Sequence, residues 1–145
     1  MNTRRIALKV LLEFYTAGGF LDELLYAALG DSPIDHRDKR LIHELVYGTV
    51  RRQLTLDHVI RRFLTDDKLL EHIRCMAIMR LGLYQILFMD KIPDHAAVNE
   101  SVKLAKKAQT THRLTGVINA ILRKAIAGRR QVLRGPMRLG WLGVG

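Results

Sequence analysis

Apolar side chains recur every three or four positions along almost the whole of this chain, and only three prolines interrupt its 145 residues. At 3.6 residues per turn, that period gathers positions i, i+3, i+4 and i+7 on one side of a helix. No stretch shows the two-residue alternation of a half-buried strand. The predicted class is all-α. With 48% hydrophobic and 26% charged residues, the chain has enough apolar surface to bury one core in one domain.

Punctuation divides the pattern into about seven helices. Thr3 is positioned to cap a first helix whose stripe is Ile6, Val10 and Phe14, supported by Ala7 and Leu11, with Arg4, Arg5 and Lys9 on the other side; "AGG" at 17–19 ends it. "FLDELLYAAL" forms a second, closed by the segment from Gly30 to Pro33. Asp35 or Asp38 starts a third, buried through Leu41, Ile42, Leu45 and Val46, and Gly48 leaves room there for a neighbouring helix. Arg52, seven residues after Leu45, would fall on that buried face if the helix ran on, and an unpaired buried guanidinium is costly. A break is therefore expected between Arg51 and Thr55, with a fourth helix from Thr55 carrying Leu56, Val59, Ile60 and Phe63.

The fifth predicted helix, about Leu69 to Phe88, is apolar around most of its circumference, Ile73 included, and belongs at the centre. Arg80 inside it calls for a carboxylate such as Glu44 or Glu100. Pro93 opens a sixth helix, with Val98, Val102 and Ala105 inward and Lys103, Lys106 and Lys107 outward. The last helix buries Leu114, Val117, Ile118, Ile121 and Leu122 and stops at Gly128. Residues 128–145 carry four arginines and no acid, and read as a flexible basic tail.

Catalytic and metal-binding patterns are not found. "HELVY" has Tyr47 where a zinc helix needs its second histidine, and the two serines lie in no nucleophile elbow. No glycine-rich phosphate loop follows a strand pattern. The single cysteine, Cys75, sits in apolar "IRCMAIM" and reads as a buried inert thiol in a reducing compartment. Arg74 and Arg80 interrupt the longest apolar window, which falls short of the roughly 18 uncharged residues of a membrane span. The expectation is a cytoplasmic protein with no cofactor, no metal and no membrane association.

The remaining signal is charge. Twenty-four basic against 14 acidic residues give +10 and a pI near 10.3, a balance suited to polyanions. Arg4, Arg5 and Lys9 share one helix face, and Arg51 and Arg52 mark a corner. Lys103, Lys106, Lys107, Arg113, Arg123 and Lys124 cluster late in the chain. Such cations neutralise phosphates, and Tyr15 or Tyr47 offers a plane for an unpaired base.

Three separated blocks, "DKRLIHELVYGTVRRQLTLDHVI", "RLGLYQILFMDKIPDHAAVNESVKLAKKA" and "GVINAILRK", resemble the NusB-like RNA-binding domain. They are most similar to that domain as it occurs at the N-terminus of the RsmB (Sun/Fmu) family of 16S rRNA cytosine-5 methyltransferases, and the resemblance covers about residues 3 to 127. It implies a helical fold of two small antiparallel bundles and, for Arg4, Arg5 and Lys9, RNA binding. It extends that role with less force to the loop at His112 and Arg113, and implies a structural or interfacial role for Asn119. For the methyltransferase branch the implied task is positioning 16S rRNA; Arg51 and Arg52 are added from the residues themselves. The S-adenosylmethionine domain of that family, with its two catalytic cysteines, is not in this sequence, so the expectation is a non-catalytic domain, either part of a longer protein or free-standing. Two alternatives stand beside it. One is a NusB-type antitermination factor that binds boxA-like single-stranded RNA with a small-subunit ribosomal protein; the other is a helical interaction or dimerisation module.

Overall fold

A computed structural model of the protein describes residues 2–108, 111–129 and 131. Among them are seven α-helices, a short 3₁₀ turn and no strand. The helices are α1 Thr3–Ala17, α2 Leu21–Leu29, α3 His36–Arg51, α4 Gln53–Phe63, α5 Ile73–Phe88, α6 Asp94–Lys107 and α7 His112–Ala127.

The N-terminal cap is one residue earlier than expected. Asn2 holds it, its side-chain oxygen accepting from the backbone N–H of Arg4 at 3.0 Å and of Arg5 at 3.4 Å, while Thr3 is already helical. Gly18 and Gly19 end α1 with φ of 75° and 101°, backbone that L side chains rarely adopt. Helices α3 and α4 are separated by Arg52 alone, at φ −97° and ψ 12°. The expected break is therefore present, although α4 starts at Gln53 rather than Thr55. It turns Arg52 so that its guanidinium lies 4.8 Å over the Phe88 ring, a cation–π contact instead of an unpaired buried charge.

Another correction concerns α5. The 3₁₀ turn Asp67–Glu71 precedes it, and His72 starts the helix by accepting the Cys75 N–H at Nδ1, 3.1 Å away. Asp66 caps the 3₁₀ turn through the Lys68 N–H. Two capping side chains six residues apart thus divide what periodicity alone reads as one continuous helix.

Helix α5 is buried almost all round, from Cys75 to Leu87 with only Arg80 partly exposed. It packs against α1, α3, α4, α6 and α7. On one side α1 contacts α2 and α3; on the other, α7 contacts α4 and α6, so two groups of helices share one axis. Small residues permit the closest approaches. A Cβ on Gly48 would lie 2.0 Å from Tyr84 Cζ, and one on Gly82 would lie 2.6 Å from Ser101 Oγ.

Arg80 pairs with Asp57 of α4, not with Glu44 or Glu100. The helix that brings a carboxylate to it is α4, whose contact with α5 a one-dimensional pattern does not reveal. Ile73, expected in the core, is 46% exposed because α5 begins there. Of the predicted tail, Gly128, Arg129 and Gln131 are described. Arg129 is ion-paired with Asp94 at the start of α6, and the rest of 128–145 lies outside the described residues.

Candidate nucleic-acid interface

A surface groove of about 730 Å³ runs between α1, the first turn of α5 and the last turn of α6. Its floor is apolar, formed by Ile6, Leu8, Leu12, Ile73, Leu104 and Ala108. Arg5, Lys9, Arg74 and Lys107 stand around it, with Glu13 and Thr16 also contributing. Arg5 and Lys9 share a rim because residues four apart lie one above the other on a helix. Lys107 meets them because α6 ends beside α1. A second depression of about 480 Å³ is lined by Asn2, Thr3, Arg4, Arg5, Glu100 and Lys107. Sharing Arg5 and Lys107 with the groove, it extends the basic strip toward the start of α1. Among the described residues, Arg5, Lys9, Arg74 and Lys107 have no ion-pair partner, so four such cations stand around one concave surface.

The predicted cations do not all converge, and Lys103 is ion-paired with Glu100 along α6. Arg5, Lys9 and Lys107 line the groove. Arg4 is partly withdrawn from the exposed face, since its Nε donates to Oε1 of buried Gln85 at 2.7 Å, leaving its side chain only at the second depression. Lys106 is exposed on α6 outside the groove lining. Arg51 lies elsewhere, in a depression of about 260 Å³ with His43, Glu44, Tyr47, Gly48 and Tyr84, and Arg52 is committed to Phe88. Arg113 is held by Asp66 at 3.0 Å, a contact that also keeps the Asp66 carboxyl below its ordinary range, second to the Lys68 backbone N–H. Arg123 donates to Asn119 Oδ1 along its own helix at 3.1 Å, and Lys124 is exposed on α7.

Arg74 was not among the predicted cations. Its signal was a charge at the edge of an apolar run, and only the start of α5 at Ile73 turns that edge into a groove wall. Of the two candidate stacking rings, Tyr15 is covered by the Arg80 guanidinium 4.9 Å above it, whereas Tyr47 remains half-exposed beside Arg51. No cluster of three potential metal ligands and no helix long and apolar enough to cross a membrane occurs among the described residues.

This geometry defines a seven-helix domain built around one central helix, with a basic groove along its first helix. The chain belongs to the NusB family, whose profile matches residues 1–127. It is 36% identical over 124 residues to a probable ribosomal RNA small subunit methyltransferase B of Synechocystis sp., an alignment covering 86% of this chain and 28% of that protein. It is 30% identical to the transcription antitermination protein NusB of Ruminiclostridium cellulolyticum, covering 87% of both. The fold matches T. maritima NusB with a TM-score of 0.77 at 23% identity, over 88% of this chain and 92% of the other. The chain thus spans little more than a quarter of the methyltransferase relatives' length, 28% and 27% for the Synechocystis and Bacillus subtilis proteins. The NusB family profile matches residues 1–127 of this chain, and the methyltransferase alignments cover about the same share of it.

Proposed function

We propose that this domain binds single-stranded RNA along the α1–α6 groove, with Arg5, Lys9, Arg74 and Lys107 neutralising consecutive phosphates. The observation that carries the reading is the meeting of four cations, free of ion pairs among the described residues, from three helices around one groove. In the principal reading the RNA is 16S rRNA and the domain positions it for cytosine-5 methylation by a separate catalytic domain. The near-complete mutual coverage with an antitermination protein favours a second reading, a boxA-like RNA bound together with a small-subunit ribosomal protein. Both place the protein in the cytoplasm.

Titration of labelled single-stranded 16S rRNA fragments and boxA-like oligonucleotides at several salt concentrations tests this. Binding is expected to weaken with salt at a log–log slope of about −0.7 per neutralised phosphate, near −3 for four contacts. Salt-independent association, or none, refutes the groove. Preference for one RNA type separates the two readings.

A further inference from the structure

The depression on α3 has a different chemistry from the α1 groove. His43 and Tyr47, one helical turn apart, lie with ring planes at 19° and centroids 6.1 Å apart. Gly48 admits the Tyr84 phenol against the helix, since any side chain there would overlap it. Glu44 and Arg51 complete the lining. Burial raises the Tyr84 hydroxyl above its ordinary pKa, as does the Glu44 charge, while Arg52 and Arg51 pull it down; a carboxylate and two guanidiniums therefore stand near the phenol. Arg51 has no ion-pair partner among the described residues. At about 260 Å³ the depression is below the ~300–1,000 Å³ of small-molecule cavities, and it offers a flat ring, an acceptor and a free cation side by side.

We propose that this depression holds one unpaired guanine, its base stacked on Tyr47, its N1–H and N2–H donating to the Glu44 carboxylate, and its phosphate against Arg51. The base follows from the acceptor. Of the four Watson–Crick edges only that of guanine presents two adjacent N–H donors, the complement of a carboxylate's two oxygens. The α1 groove has no aromatic lining residue, so phosphate neutralisation and base reading fall to separate surfaces. This inference rests on the RNA-binding reading above.

Fluorescence anisotropy with three labelled strands tests it: oligoadenylate, the same strand with one central guanine, and the same strand with inosine there. The guanine strand is expected to bind about five- to tenfold more tightly than oligoadenylate, with inosine, lacking the N2 amine, between them. Glu44→Gln should abolish that preference without changing oligoadenylate binding. Tyr47→Leu, which keeps apolar packing but removes the stacking plane, should bring the guanine strand close to oligoadenylate, with thermal melts confirming that both variants fold. Arg5→Glu with Lys9→Glu should instead weaken all three strands alike. Equal affinities for the three strands in the native protein, or a guanine preference that survives both variants, overturns the guanine site and leaves the groove standing. No measurable binding of any strand overturns both.

Discussion

Arg80 and Asp57 meet side-on, Nε to Oδ1 at 2.6 Å and Nη2 to Oδ2 at 3.0 Å, and clamp α4 to α5. Each side chain is 13% exposed. Burial pulls the Arg80 pKa down, but Asp57, with Tyr15, more than offsets it and leaves the guanidinium above its ordinary value. Removing one partner strands the other charge in a largely dry site. Arg80→Ala or Asp57→Ala is expected to lose about 2–4 kcal/mol, whereas Arg80→Met with Asp57→Leu should cost less than either. Urea unfolding of the three variants checks this; a double variant as unstable as the summed singles would show that the two side chains are uncoupled and that neither single change strands a charge.

The alkaline limit of stability should reflect buried hydroxyls and the thiol. Burial pushes Cys75 up to about 11 from 9.0 and raises Tyr15 and Tyr84 as well. A group whose pKa is raised on folding contributes stability fully present below its unfolded value and lost as pH climbs through the folded one. Unfolding midpoints should thus hold to about pH 9 and fall between about 9 and 11, with Cys75→Ala flattening part of the decline. Native protein should also resist iodoacetamide at pH 8 and react once unfolded; rapid native alkylation would contradict the buried thiol.

Gly48→Ala is expected to destabilise by about 1–3 kcal/mol despite the better helix propensity of alanine, because the new methyl collides with Tyr84. Tyr84 cannot simply swing away, being 8% exposed and stacked on Phe88. In a Tyr84→Ala background the same change should become neutral or favourable. A double-mutant cycle measures this, and an unchanged penalty would place the clash elsewhere.

The basic residues should separate by location. Arg5→Glu with Lys9→Glu is expected to lower RNA affinity by about tenfold or more at low salt and to flatten the salt slope, whereas Arg113→Ala, already engaged by Asp66, should change affinity by less than about twofold. Filter binding distinguishes them. An equal loss from Arg113 would move the interface toward α7.

Much of the fold was legible because packing in helical proteins is written in local periodicity. The seven helices, the glycine stop after α1, the break at Arg52 and the central position of α5 all follow from apolar spacing and its interruptions. Capping was less legible: Asn2 and Thr3 are both competent caps, and only the backbone shows which one is used. The division of α5 from its 3₁₀ turn depended on Asp66 and His72 acting as caps, roles that composition does not assign. Pairings across helices, such as Arg80 with Asp57 and Arg4 with Gln85, depend on which helices touch. For the same reason the sequence identified basic residues in numbers but not the groove that selects Arg5, Lys9 and Lys107 and adds Arg74.

The Arg129–Asp94 pair ties the end of α7 to the start of α6. Asp94 opens α6 and Lys107 closes it, so Arg129 is moored about 20 Å, one helix length, from the groove's α6 wall. Replacing Arg129 or Asp94 would therefore alter charge a full helix length away from Lys107 and leave the groove lining intact.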